Sequence, residues 1–88
     1  MFRLSGELYQ DGRLLRSCVS RQEGYSVSRT QHVMDALREI CEYLDLAVPI
    51  WSDSSIREFK LKSKTCFRGD AFIEAVSFDY MKIEVIEE

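Results

Sequence analysis

Arg57, Lys60, Lys62, Lys64 and Arg68 place five cations in a segment that holds a single acid, Glu58. The local net charge is +4 in a chain of net −3, so the remaining residues carry −7. Guanidinium and ammonium groups at this density can hold phosphate oxygens, either of a nucleic acid or of a small ligand. Ser63 and Thr65 add hydroxyl donors, and Trp51 and Phe67 offer rings on which a base could stack. A solvated basic helix face, balanced by an acidic tail, explains the same residues without any ligand. The chain as a whole is acidic, whereas most nucleic-acid modules are basic. Phosphate or nucleic-acid binding is therefore the alternative expectation and not the favoured one.

Other chemistry-bearing residues form no constellation. Cys18, Cys41 and Cys66 are odd in number and widely spaced, with no C-x-x-C. In a reducing compartment they read as small apolar residues. His32 is the only histidine, and no metal-ligand spacing surrounds it. Residues 70 to 88 are net −5, but Glu84, Glu87 and their neighbours alternate along a strand or crowd its end. A solvated acidic face accounts for them, and no catalytic residue, metal or cofactor is expected.

The element that must position everything else is Thr30 to Leu46. Val33, Leu37, Ile40 and Leu44 recur at i, i+4, i+7 and i+11, one face of a helix, widened by Ala36, Cys41 and Ala47. Thr30 could cap it, or Ser28 with Gln31 could form a capping box. Pro49 is expected to close the region. Upstream, residues 2 to 21 read as a hairpin, because Asp11-Gly12 suits a turn needing positive φ twice. With that pair as the loop, Leu8 faces Leu15, Leu4 faces Val19 and Glu7 faces Arg16, which groups apolar with apolar and acid with base. Gln22 to Ser28 is a polar connection.

After Pro49, a shorter helix is expected from about 53 to 62, capped by Ser55 with Glu58 or by Ser52 or Asp53 one turn earlier. Residues 63 to 69 read as irregular. Asp70 should then cap a short helical turn with Phe72 and Ile73 inward. Residues 77 to 87 alternate as a strand. The expected fold is a single α+β domain over residues 1–88, in the order β-β-α-α-β. A three-stranded, mainly antiparallel sheet, made of the hairpin and the C-terminal strand, carries one long and one or two short helices on one face. The second and last strands should then be exposed edges.

That layout leaves the other sheet face uncovered. It should show Arg3, Ser5, Glu7, Tyr9, Leu14, Arg16, Cys18, Tyr80, Lys82, Glu84 and Ile86, and a patch of Tyr9, Leu14 and Tyr80 would suit a protein partner or a second copy of the chain. Bases stacked on sheet tyrosines are a weaker analogy, since no RNP-type motif is present.

Hydrophobic residues are 45% and charged residues 31%, which fits a folded domain rather than a disordered chain. No apolar run is long enough for a membrane span, so no membrane partner is expected, and MFRLSGELYQ lacks the apolar core of a signal peptide. The expected location is the cytoplasm.

Several elements of the chain recur in a group of short bacterial proteins. These are P-I-W at Pro49 to Trp51, D-S-x-I-x-E-F-K at Asp53 to Lys60, S-K-T-x-F at Ser63 to Phe67, and F-D-Y-x-x-I-x-V-I-E-E at Phe78 to Glu88. The D-G turn and the E-I-C-x-x-L-D-L helix end look similar too. The chain resembles that group along most of its length. The resemblance implies a free-standing bacterial domain and carries over no functional residue, because the group has no assigned activity. The expectation is a small non-enzymatic protein that works by binding, most simply a protein–protein interaction module whose partner is another protein or a second copy of the chain in a homodimer.

Overall fold

A computed structural model describes residues 1–24 and 27–88. Strands β1 (Phe2–Gln10) and β2 (Arg13–Gln22) lead into helix α1 (Arg29–Tyr43) and helix α2 (Asp53–Lys62). Strand β3 (Lys64–Arg68), a 3-10 turn (Gly69–Ala71) and strand β4 (Tyr80–Glu87) complete the chain. The four strands form one antiparallel sheet in the order β2-β1-β4-β3. The α+β class and β4 beside β1 are as expected, but the sheet has four strands, not three. Residues 64 to 68 are a strand rather than irregular chain, so β4 is interior and the free edges are β2 and β3.

The hairpin turn is as read: Asp11 and Gly12 take φ of 52° and 76°. The register beyond it is not. Tyr9 pairs with Leu14, but a bulge follows, and from Leu8 onward each β1 residue meets a partner one position further along β2. Leu8 thus faces Arg16, Glu7 faces Ser17, Ser5 faces Val19 and Leu4 faces Ser20. A one-residue slip exchanges the two faces of a strand. Val19 therefore leaves the core, 48% exposed, and Ser20 enters it, fully buried. Burial of that hydroxyl is tolerated because it is hydrogen-bonded. Ser20 Oγ donates to Glu39 Oε1 at 2.9 Å and accepts from Gln22 Nε2 at 3.0 Å.

Helix α1 lays Val33, Ala36, Leu37, Ile40 and Cys41 on the sheet. Ser28 is its N-cap and accepts the Gln31 amide, while the Gln31 side chain turns to Asp35 instead of closing a box. The helix stops well before Pro49. Asp45 sits at φ 59°, its N–H donates to Glu42 O at 3.2 Å, and the Leu46 N–H donates to Cys41 O at 2.8 Å. This is the six-to-one closure that ends many helices, with an aspartate where glycine is usual. Gln22 belongs to β2 and Ser28 to the cap; of the expected connection between them, Tyr25 and Ser26 lie outside the described residues.

Helix α2 is capped by Ser52, whose Oγ accepts the Ser55 N–H at 3.1 Å while Ser55 Oγ accepts the Ser52 N–H at 2.8 Å. Glu58 instead accepts the Thr65 hydroxyl at 2.7 Å. Ser63, at φ 58°, reverses the chain into β3. The turn after β3 buries Phe72 edge-on against Phe78, but Ile73 points outward, 78% exposed, and Asp70 caps nothing. The largest fully buried side chains are Phe67, Leu4, Leu37, Ile40, Met81 and Ile83. Each contributes roughly 1.5–3 kcal/mol from leaving water.

Candidate binding surface

Strand β3 divides the basic segment. Arg57, Lys60 and Lys62 ride on α2, and Lys62 lies 3.8 Å from Glu58. Lys64 and Arg68 belong to β3, where Thr65 and Phe67 take the buried positions and the alternate residues face away from the helices. The five cations are thus spread over two sides of the molecule. Phe67 is 2% exposed, and Trp51 is half-buried, set edge-on to Phe59 at 5.5 Å and to Phe67 at 5.0 Å. These rings pack with each other in the core, and the Phe67 ring is not presented for stacking.

The pleat and the two inner registers define the uncovered sheet face. Tyr9 pairs with Leu14 on one side and Tyr80 on the other, and Tyr80 pairs with Arg68. Leu14, Tyr9, Tyr80 and Arg68 therefore make one row across all four strands. The tyrosine rings stack with centroids 5.2 Å apart at 18°, and the Arg68 guanidinium lies 5.8 Å above the Tyr80 ring. Leu14 at the end of the row is 51% exposed. The next row is Ser17, Glu7, Lys82 and Cys66, and the third is Val19, Ser5, Glu84 and Lys64. The expected cluster of Tyr9, Leu14 and Tyr80 is thus brought together. Arg16 and Cys18, expected here, are turned to the helix side by the bulge, and Ser17, Val19, Arg21, Lys64, Cys66 and Arg68 join the face.

Charges on this face are partly paired. Arg3 Nε lies 2.8 Å from Glu87 Oε1, and Lys82 Nζ lies 3.5 Å from Glu84 Oε1. Partial burial favours the neutral Lys82 amine, but Glu84 and Glu7 outweigh it and raise its pKa. Burial and then Glu7 raise the Tyr9 phenol, so that phenol is neutral at physiological pH. Among the described residues neither Lys64 nor Arg68 is in an ion pair.

Elsewhere, burial pushes the Cys41 thiol up to about 11 and raises Cys18 and Cys66 as well, so none is a ready nucleophile. His32 stacks on Phe2 at 5.4 Å, with Nε2 3.0 Å from Gly24 O. Among the described residues no cluster of metal-ligating side chains is found, and no helix is long and apolar enough to cross a membrane. The role of Arg68 was hidden while residues 63 to 69 read as a loop. The alternation of Thr65 and Phe67 between Lys64, Cys66 and Arg68 was the signal.

No family model, curated protein or solved structure matches the chain.

Proposed function

We propose that the chain is a non-enzymatic protein-binding module that works through the uncovered sheet face. The observation that carries this reading is the row Leu14, Tyr9, Tyr80 and Arg68. Tyrosine and arginine are the residue types that dominate interface energetics, and here they are pre-stacked on a rigid sheet. The face carries Arg3, Arg21, Lys64, Arg68 and Lys82 against Glu7, Glu84 and Glu87, a net positive surface on a net negative chain. A different protein with an acidic rim suits it better than a second copy, which would set like charges together.

A photo-reactive residue at Leu14 tests this directly in cells that express the protein. A discrete adduct from position 14, absent when the same probe replaces Leu61 and lost with Tyr9→Ala, supports the reading. An adduct of twice the chain's mass would make the partner a second copy. Equal labelling from both positions would overturn it.

A second reading has one observation in its favour. Strand β3 brings Lys64 and Arg68 to the same face as two tyrosine rings, the combination by which sheets hold single strands. Fluorescence anisotropy with single- and double-stranded DNA and RNA, at low and physiological salt, decides it. Binding that falls steeply with salt and vanishes in Lys64→Glu/Arg68→Glu would move the function to nucleic acid. Absence of binding at low salt would end that reading.

A further inference from the structure

A groove of about 500 Å³ runs between the free edge of β3 and the N-terminal half of α2. Four consecutive β3 residues, Thr65 to Arg68, line it. Side chains alternate between the faces of a strand, so an unbroken run marks a groove that follows the edge itself. Across from that edge lie Ile50, Trp51 and Ser54. Ile50 is 61% exposed, a large apolar side chain with little to cover it.

The ladder shows which backbone groups are unused. The Val85 N–H donates to Ser63 O at 2.9 Å, which makes Ser63 and Val85 a hydrogen-bonded pair in the β3–β4 register. Such pairs alternate in an antiparallel ladder. Thr65 and Phe67 therefore exchange bonds with β4, while the N–H and C=O groups of Lys64, Cys66 and Arg68 point toward the free edge.

We infer that this edge accepts an extended segment of a partner protein as a fifth strand, with acids at two positions four residues apart and apolar residues between them. Residues of the incoming strand opposite Lys64 and Arg68 fall on the uncovered sheet face, beside two cations without ion-pair partners among the described residues. Residues opposite Thr65 and Phe67 fall on the helix side, against Ile50 and Trp51. The pattern is acid–apolar–any–apolar–acid, in either strand direction. The chain's own inner strand gives a precedent, since β4 sets Glu84 opposite Lys64. Pairing two β3 edges from two copies would instead set Lys64 and Arg68 against their equivalents, which argues against a second copy as the occupant. The β3 edge shares Lys64 and Arg68 with the uncovered face, but the backbone groups of β3 and the groove beside Ile50 and Trp51 lie outside the Leu14–Tyr9–Tyr80 patch, and the inference does not depend on that patch having a partner.

The test is anisotropy of a labelled peptide containing Glu-Val-Thr-Ile-Glu against the full chain. Saturable binding is expected, at least about tenfold tighter than for a peptide with acids and apolar residues exchanged. Cys66→Pro removes the central outward N–H and no β3–β4 bond, as edge positions permit. It should weaken the peptide by at least about tenfold with unchanged circular dichroism. Lys64→Glu/Arg68→Glu should weaken it to a similar extent and provides the arm that remains if the proline variant does not fold. Absence of saturable binding, equal affinity for the exchanged peptide, or full affinity in either folded variant overturns the inference. So does displacement of the peptide by inorganic phosphate at similar affinity, or a free dimer that Cys66→Pro converts to monomer.

Discussion

Asp79 Oδ2 accepts the backbone N–H of Asp11 at 2.8 Å, across 68 positions of sequence. The Asp79 N–H in turn donates to Tyr9 O at 2.8 Å. The residue before β4 thus holds the tip of the first hairpin. Asp79→Ala keeps the backbone bond and loses the carboxylate, and the expected cost is about 1 kcal/mol, since the pair is exposed. Asp79→Asn retains an acceptor and should lose less. Denaturant melts of both variants check the order.

Gly6 of β1 leaves the space that Ile40 of α1 fills. A Cβ built there lies 2.6 Å from Ile40 Cγ2. Gly6→Ala should destabilise by about 1–3 kcal/mol through overpacking. Ile40→Ala removes the obstructing methyl, so the double variant should cost less than the two single changes added together. A double-mutant cycle by urea unfolding measures that coupling.

Asp45 occupies a left-handed position that glycine takes without steric cost. Asp45→Gly should stabilise by about 0.5–1 kcal/mol, read as a melting point raised by a few degrees. A lower melting point would show that the aspartate side chain contributes more to the helix end than its backbone strain costs.

The three thiols should react in order of exposure. Cys66 is exposed, Cys18 half-buried and Cys41 buried, so a thiol reagent at neutral pH modifies Cys66 first and Cys41 only on unfolding. The folded pKa of Cys41, about 11, lies above the value of about 8.5 in an unfolded chain. Between these values the unfolded state releases a proton that the folded state keeps. Stability should therefore fall as pH rises from about 8.5 toward 11, and Cys41→Ala should flatten that slope. Chemical denaturation across the alkaline range is the measurement.

What the sequence made legible was what depends on period. The stripe Val33, Leu37, Ile40 and Leu44 is buried as its spacing implied, and Asp11-Gly12 turns as its residue types require. The hairpin register failed for a reason that alternation cannot express. A single extra residue at the bulge re-phases the rest of β2, and Ser20 can replace Val19 inside because Glu39 and Gln22 reach its hydroxyl. Strand β3 was missed because it is five residues long with a cation at each end. Its strand character comes from β4 and from Phe67 entering the core, which are tertiary facts. The tyrosine patch was legible once the strands were placed. The approach of Arg68 to it was not, since that depends on the missed strand.

The order β2-β1-β4-β3 also has a consequence in time. Of these four strands, the one made last belongs in the interior of the sheet. Until it arrives, β1 and β3 have no common neighbour, and each shows a bare edge to the crowded cell. The hairpin and α1 can settle early on their local contacts, but closure waits for residues 80 to 87 to slide between two strands already made. Truncated or stalled chains that lack this keystone should be the aggregation-prone species, and chains that include residues 80 to 87 the first in which both edges are covered.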